Sequence, residues 1–428
     1  MKTSALGLLA CSLFVSAGAR AEWPNYRGPA GNGIAGEVLT ESSWPAEGPK
    51  SLWKAPAETG FSSFSVASGK AVTLVSREVD GNPMEVCVAF DASTGKELWA
   101  QELWLSKQYD GGGNAGTEQN KGGDGPRSTP VIDGEMVYVI DANLKVFGLK
   151  LADGSQVWKR DIVKEHKGNV IKWQNAASPL IHGQHLFLAG GGPGEALLAL
   201  DKLTGKTVWK GEDDAMTHAT PILAELHGVT QVVFFTQKGL VAVMPDDGVV
   251  LWRHDFPFKV STAASPVVWE DIVYCSAGYG VGAGAARITR EGGKFSAREI
   301  WRTSNDNMNH WSTPVVLDGH LYGMFSFKEY GTGPLGCVDI RTGEKKWSQP
   351  GFGPGNVILS GQRLLALTDA GELVLVAARP ESYTELARAK VLEGKCWSTP
   401  ALSEGKAFVR STVEGGCFDL GGAKVAVR

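Results

Sequence analysis

The residues best suited to hold a ligand recur at one place in the chain, three positions before a segment that opens on a proline. They comprise a basic side chain, a histidine, two tryptophans and two alanines: Arg127, Ala176, His218, Ala263, Trp311 and Trp397. Indole rings stack on planar or sugar-like rings, and neighbouring polar groups supply hydrogen bonds. The spacing therefore predicts a ring of residues at one mouth of an axial channel.

The densest polar and aromatic cluster of the sequence surrounds one of these positions and runs from Asn305 to Trp311. Its side chains could bind a ligand or could instead satisfy the backbone of a turn. Asp306, the one acid of the cluster, could ligate a cation or cap a turn, but no ligand spacing supports a metal site. The ligand-binding candidates at the mouth are Arg127, Trp173, Asn175, His218, Asn307, Asn309, His310, Trp311 and Trp397. No pair of carboxylates has a spacing that indicates an acid and a base, so no catalytic residue is predicted.

These candidates are positioned by a repeat of which Leu200 to Trp209 is the clearest copy. A half-buried strand ends at Asp201, Gly205 supplies the positive φ of a tight turn, and Trp209 lies in the next strand. The tryptophans recur at intervals of 43 to 59 residues: Trp53, Trp99, Trp158, Trp209, Trp252, Trp301 and Trp347. A period near 40–50 residues with about four short strands is typical of a β-propeller blade.

A second marker counts the blades. Six apolar strands begin at a proline that follows a small or hydroxyl residue, and two begin without it, near Phe64 and Asn356. Eight starts predict an all-β, eight-bladed propeller with four-stranded blades. After Pro400 the chain supplies only three strands, whereas Trp53 lies in a lone strand before the first full repeat. We therefore expect the strand of Trp53 to complete the last blade, which would remove the open sheet edges.

The expected organisation is a signal peptide over residues 1–21, an extended N-terminal strap over 22–50 and one propeller domain over 51–428. The signal peptide is indicated by Lys2, an apolar stretch, and the small-x-small site Ala19-Arg20-Ala21. Prolines and glycines in 22–50 exclude a helix or a central strand. A glycine-rich insertion over 104–126 is expected to form a long surface loop, which could be a lid over one end of the channel or simply a mobile insertion. The location expected is therefore periplasmic or extracellular.

Charge and cysteine content exclude several classes of protein. Without the signal peptide 40 basic and 46 acidic residues remain, a formal net charge of −6 that gives no pull toward nucleic acid. No other stretch is apolar enough to span a bilayer. Five scattered cysteines remain, and an odd number is a poor disulfide framework. We therefore expect the cysteines to behave as small, buried, apolar residues. Only Cys396 and Cys417 are expected to share one small sheet.

The repeat Ala199-Leu200-Asp201-x-x-Thr204-Gly205-x-x-x-Trp209 resembles the tryptophan-docking motif of the pyrroloquinoline-quinone (PQQ)-like eight-bladed propellers. The resemblance covers nearly all of residues 51–420. That family includes quinoprotein dehydrogenases and the noncatalytic outer-membrane assembly scaffold BamB. The resemblance implies that each tryptophan wedges between neighbouring blades against a glycine turn. The implied pairs are Trp99 with Gly95, Trp158 with Gly154, Trp209 with Gly205, Trp252 with Gly248, and Trp347 with Gly343.

The family resemblance leaves three functions open. The leading expectation is an exported, noncatalytic propeller, a monomer without a cofactor, that binds a protein or glycan. The first alternative is a small periplasmic dehydrogenase that oxidises alcohols or sugars with PQQ and Ca²⁺. The adjacent cysteines that support the quinone in related alcohol dehydrogenases are missing here. The second alternative is a BamB-like scaffold for outer-membrane protein assembly.

Overall fold

Short apolar runs separated by glycine turns fold into short antiparallel strands in this protein. The computed structural model describes residues 21–106, 125–304, 307–325 and 327–425, which contain 34 strands and one helix, α1 (Ile162–Glu165). Eight four-stranded sheets account for 32 of these strands. The prediction of an all-β, eight-bladed propeller with four-stranded blades is confirmed. Most of the expected signal peptide (1–20) and the centre of the expected insertion (107–124) lie outside the described residues.

Blades are numbered here in chain order, and seven of them consist of four consecutive strands. Blades 1 to 4 contain β3 (Ser65–Ala67), β4 (Lys70–Val79), β5 (Asn82–Asp91) and β6 (Glu97–Leu105); β7 (Val131–Asp133), β8 (Met136–Ile140), β9 (Lys145–Lys150) and β10 (Gln156–Asp161); β11 (Leu180–His182), β12 (His185–Ala189), β13 (Leu197–Asp201) and β14 (Thr207–Gly211); and β15 (Ile222–Leu226), β16 (Val229–Thr236), β17 (Gly239–Val243) and β18 (Val250–Asp255).

The remaining blades continue the same meander. Blades 5 to 7 contain β19 (Val267–Trp269), β20 (Ile272–Ala277), β21 (Gly282–Glu291) and β22 (Lys294–Thr303); β23 (Val315–Leu317), β24 (His320–Met324), β25 (Leu335–Asp339) and β26 (Lys345–Gln349); and β27 (Asn356–Ser360), β28 (Arg363–Leu367), β29 (Glu372–Ala377) and β30 (Glu385–Lys390). The first strand of each blade is the innermost, as shown by the packing of β3 against its neighbour β7.

Blade 8 draws its strands from both ends of the chain. Its order is β2 (Lys50–Pro56), β33 (Glu414–Asp419), β32 (Lys406–Arg410) and β31 (Ala401–Ser403), with Trp53 opposite Cys417. A separate two-stranded sheet pairs β1 (Glu37–Leu39) with β34 (Ala423–Val425). Strand β31 packs against β3 of blade 1. The first and last blades are therefore neighbours around one axis.

The repeated tryptophans fill the space between blades. Five of these rings lie against the turn glycine of the following blade: Trp53 over Gly95, Trp99 over Gly154, Trp158 over Gly205, Trp209 over Gly248, and Trp301 over Gly343. The indole N–H also donates to a backbone carbonyl of that turn, as Trp53 Nε1 does to the Ala92 oxygen at 2.9 Å. The expected pairing within one repeat is therefore wrong by one blade. The side chain leaves the face of its own sheet, so its own turn lies out of reach and the next blade's turn lies beneath it.

Trp252 and Trp347 depart from this glycine contact. Trp252 donates its indole N–H to Gln231 Oε1 of its own blade at 2.7 Å. The outer hairpin of blade 5 is the long β21–β22 pair, and a Cβ built at its turn glycines, Gly292 and Gly293, would meet no atom of the described residues within 4 Å, so Trp252 does not reach this turn. Trp347 donates to the Arg379 carbonyl of blade 7 at 2.8 Å. Both tryptophans thus satisfy their N–H groups, but only Trp347 does so across a blade junction.

The hydroxyl residue before each strand-start proline has its own role near the axis. The backbone N–H of Thr129 donates to Ser178 Oγ of the next blade at 2.9 Å, and that of Ser178 donates to Thr220 Oγ1 at 2.9 Å. The same bond joins blade 8 to blade 1, from Thr399 N to Ser63 Oγ at 2.8 Å. The Ser/Thr side chains therefore link the inner strands of neighbouring blades.

The strap crosses the axis of the propeller. Trp23 exchanges backbone hydrogen bonds with Val66 of blade 1, and Ile34 forms a bridge with Leu359 of blade 7. Between them the buried Arg27 guanidinium donates to the Thr313 and Pro314 carbonyls of blade 6. The Ile132 N–H of blade 2 donates to the Pro24 carbonyl, so residues 23–34 join blades 2 and 6, which lie on opposite sides of the circle.

Candidate functional site

The loops that precede the innermost strands meet at one end of the axis and surround a cavity of about 370 Å³. All six positions that lie three residues before a strand-start proline line this cavity: Arg127, Ala176, His218, Ala263, Trp311 and Trp397. Trp173 and His310, predicted from the neighbouring sequence, line it as well. Tyr26 of the strap lines both this cavity and a smaller one, lined by strap residues and blades 3 to 5, so the strap separates the two.

The other predicted site residues have buried positions beside the cavity. Asn175 donates to the Ala177 carbonyl at 3.0 Å, and Asn309 accepts a hydrogen bond from the Tyr274 hydroxyl at 2.6 Å. Asn307 donates from Nδ2 to the Gly343 carbonyl at 2.6 Å. The structure therefore places these three amides in the supporting loops and not in the cavity lining. Asp306 lies outside the described residues.

Aromatic side chains form a nearly continuous belt around the cavity. Adjacent rings lie 4.5 to 6.0 Å apart between centroids, in the order Trp173, Tyr279, His310, Trp311, Trp397 and Phe61. Tyr330 stacks on Trp397 at 5.8 Å with an interplanar angle of 11°. Aromatic pairs of this geometry stabilise each other beyond the area they bury. The belt therefore presents a preformed apolar wall with ring edges and faces toward the cavity.

Several lining residues were not found by the sequence reasoning. Phe61 lies three residues before Phe64, one of the strand starts without a proline, so the same spacing rule would have identified it. Tyr279 follows β20, and Lys328 and Tyr330 follow β24. In an antiparallel meander, the loop after the second strand returns to the end at which the first strand began. This topological argument would have identified Tyr279, Lys328 and Tyr330 from the sequence.

The two histidines of the cavity are held uncharged. His218 Nε2 donates to the Lys172 carbonyl at 2.7 Å, and this contact leaves Nδ1 to accept from the Ser261 hydroxyl at 3.1 Å. Burial lowers the pKa of His218 to about 4. Burial, reinforced by the charge of Lys328, lowers the pKa of His310 to about 3. Both rings are therefore neutral at pH 7 and offer no general acid.

The family resemblance suggests that the cavity could hold a quinone together with a divalent cation. Within the described ranges no group of three or more His, Cys, Asp or Glu side chains could hold a metal ion. All five described cysteines are free and buried, and none lines the cavity. Burial raises the pKa of Cys396 and Cys417 to about 12, so these thiols remain protonated. The described residues therefore do not fit a calcium-bound quinone.

Nor does any helix in the part of the chain that the structure describes have the length and apolar character needed to cross a membrane.

Comparison with known proteins identifies the relatives of this chain. A family model described as outer membrane protein assembly factor BamB matches residues 83–349. The outer membrane protein assembly factor BamB of Shewanella oneidensis is 22% identical over 335 residues, which cover 73% of this chain and 77% of that protein.

Two solved structures share the fold. BamB from Moraxella catarrhalis superposes with a TM-score of 0.59 at 14% identity, covering 86% of this chain and 97% of that one. Quinohemoprotein alcohol dehydrogenase from Comamonas testosteroni gives a TM-score of 0.66 at 12% identity, covering 96% and 83%. At these identities the similarity establishes the architecture alone. Because the family model spans more than half of the sequence and the repeats form its eight blades, the chain belongs to the BamB-like family of PQQ-repeat propellers.

Proposed function

We propose that this protein is an exported, noncatalytic binding module that holds a glycan in the cavity at the propeller mouth. The observation that carries the proposal is the aromatic belt, since stacked indole and phenol rings match the apolar faces of sugar rings. Trp311 and Trp397 are its centre, with ring centroids 4.7 Å apart. The neutral His218 and the cavity hydroxyls supply directional polar groups beside these rings.

A binding role also agrees with the uncharged state of the two histidines in the described lining. General acid–base catalysis needs a group whose pKa lies near the working pH. His218 and His310 have pKa values of about 4 and 3, far below neutrality. The two imidazoles of the cavity are therefore uncharged hydrogen-bonding groups at pH 7 and are poorly suited to transfer a proton.

The test is calorimetry and thermal shift with neutral and acidic oligosaccharides, and with PQQ plus calcium. A ligand of the folded state must raise the melting temperature. We expect saturable saccharide binding that Trp311→Leu weakens at least about tenfold, since it removes a stacking surface. Trp104→Leu is the matched control because Trp104 is 41% exposed on the outer strand β6, away from the cavity. PQQ-dependent oxidation of an alcohol or sugar by the purified protein would contradict the proposal.

A second candidate is a scaffold for outer-membrane protein assembly, as the names of the relatives suggest. It is favoured by apolar side chains on the outer strands of consecutive blades, where Leu98, Val157 and Val208 are 44%, 47% and 44% exposed. These strands pair on one side only, so they offer both apolar surface and backbone groups to a protein partner. Specific co-purification of barrel-assembly proteins, lost when the three residues are changed together to Ser, would support this candidate. Unchanged co-purification by the triple variant would rule out this surface.

A further inference from the structure

The charged side chains of the cavity lining are all basic among the described residues. They are Arg127 and Lys328, and no Asp or Glu of the described ranges belongs to the lining. Asp369 is a nearby acid, but it accepts a hydrogen bond from the Gly331 backbone and does not line the cavity. The cavity therefore combines an aromatic belt with positive charge.

Lys328 is the best-defined of these cations. Its Nζ lies 5.0 Å from the ring centroids of both Tyr279 and Phe327 and 3.3 Å from the Tyr279 hydroxyl. No carboxylate of the described residues forms an ion pair with it, and burial lowers its pKa. A partly buried ammonium held only by rings and one hydroxyl keeps much of its desolvation cost. An anion in the cavity would offset that cost.

Two further lysines extend the positive charge along the rim. Lys172 Nζ lies 5.1 Å from the Trp173 ring centroid, and Lys395 Nζ lies 4.8 Å from that of Trp397. Each ammonium group thus lies over a ring of the belt, and Lys395 also interacts electrostatically with the Asp369 carboxylate. Clefts lined by one sign of charge concentrate ligands of the opposite sign.

The backbone beside the belt is held in a costly conformation. Trp173 and Gln174 are consecutive non-glycine residues with φ values of 64° and 63°. The left-handed region costs about 1–2 kcal/mol for each such residue, and strained residues concentrate at ligand sites. The Trp173 ring stacks on that of Tyr279, with centroids 6.0 Å apart and an interplanar angle of 18°. The surrounding structure therefore maintains the geometry of the belt despite the backbone cost.

We propose that the ligand is an anionic saccharide, whose sugar ring stacks on the aromatic belt while a carboxylate or sulfate group binds Lys328. This inference rests on the proposed glycan-binding function and specifies its ligand. A charge-assisted hydrogen bond from Lys328 would be about twice as strong as a neutral one. A neutral sugar would stack equally well but would leave the ammonium uncompensated.

The experiment compares ligands that differ only in charge. Trigalacturonate is titrated into the full chain by calorimetry beside its methyl-esterified form, and a sulfated disaccharide is titrated beside the unsulfated parent. We expect the anionic member of at least one pair to bind about tenfold more tightly, and this preference to weaken with added salt. The substitution Lys328→Gln should bring the ratio of the two affinities close to one, because it removes the charge that distinguishes the anionic ligand from the neutral one.

Lys206→Gln is the matched control, because Lys206 is exposed on the β13–β14 turn far from the mouth. Circular dichroism melts establish that both variants fold. Equal binding of charged and neutral forms, with no effect of Lys328→Gln, would overturn the anionic inference and leave glycan binding intact. Absence of binding by every saccharide would overturn the proposed function itself. Preferential binding of PQQ, a planar anion, would overturn both.

Discussion

At the scale of single residues, the mouth of the propeller depends on groups buried without charge. His218 donates to a carbonyl through Nε2 and accepts from the Ser261 hydroxyl through Nδ1, so a second proton would reverse the bond to Ser261 and place a charge in a buried site. Its folded-state pKa of about 4 lies below the ordinary value of 6.5. The unfolded chain therefore takes up the proton first as the pH falls, and protonation favours unfolding.

The resulting prediction concerns stability between pH 7.5 and 4.5. The pKa shift of His218 should contribute a loss of about 2–3 kcal/mol in the free energy of unfolding as the pH falls from about 6.5 toward 4. The substitution His218→Gln removes this contribution, so urea unfolding at the two pH values should show a smaller difference for the variant. His182→Gln, at an exposed position, is the control. Equal pH dependence in His218→Gln and wild type would show that the ring is not kept neutral by the fold.

At the scale of elements, five outer hairpins are shaped by the tryptophan of the preceding blade. Gly205 has a φ of 70°, and a Cβ there would lie 2.7 Å from the Trp158 ring. Gly183, in the β11–β12 turn, has a φ of 57° but open space around it. The two glycines thus share a backbone conformation and differ in packing.

The matched substitutions Gly205→Ala and Gly183→Ala separate these two requirements. In both variants an alanine must adopt the left-handed backbone region, which lowers the free energy of unfolding by about 1–2 kcal/mol. Gly205→Ala must in addition displace the Trp158 ring. Overpacking of this kind should lower the free energy of unfolding by about a further 1–3 kcal/mol. Urea unfolding of both variants measures the difference. Equal losses would mean that the tryptophan contact adds no constraint at this turn.

These elements also show how far the sequence alone could predict the structure. The glycine–tryptophan repeat and the proline starts are local signals, and they specified the blade number and the position of Trp311 and Trp397. The partner of each tryptophan was misassigned because the contact crosses a blade junction, which a repeat read within one copy does not reveal. Tyr279 and Lys328 were missed for a related reason. They reach the mouth through the return loops of the meander, where no repeated motif marks them.

At the scale of the whole molecule, the circle depends on the junction between blade 8 and blade 1. Arg410 on β32 is 1% exposed, and its guanidinium reaches across that junction. It donates to the Leu74 carbonyl at 2.6 Å, to Thr73 Oγ1 at 3.0 Å and to the Glu58 carbonyl at 2.7 Å. Burial lowers its pKa to about 10, so the group is still charged at neutral pH. One side chain thus joins the last blade, the first blade and the segment between β2 and β3.

Replacing Arg410 by Met should therefore weaken the whole fold. The substitution keeps an apolar stem but leaves several buried oxygens without donors, and the loss in the free energy of unfolding should be about 3–5 kcal/mol. Arg388→Met is the matched control. Arg388 lies on the outer strand β30, its side chain is 28% exposed, and it pairs with Glu372 and Glu385. Such surface pairs contribute about 0–1 kcal/mol, so this variant should unfold nearly as wild type does. Similar losses in the two variants, measured by urea unfolding at pH 7.5, would show that the junction is held by its strands and tryptophan, and that the buried arginine is dispensable.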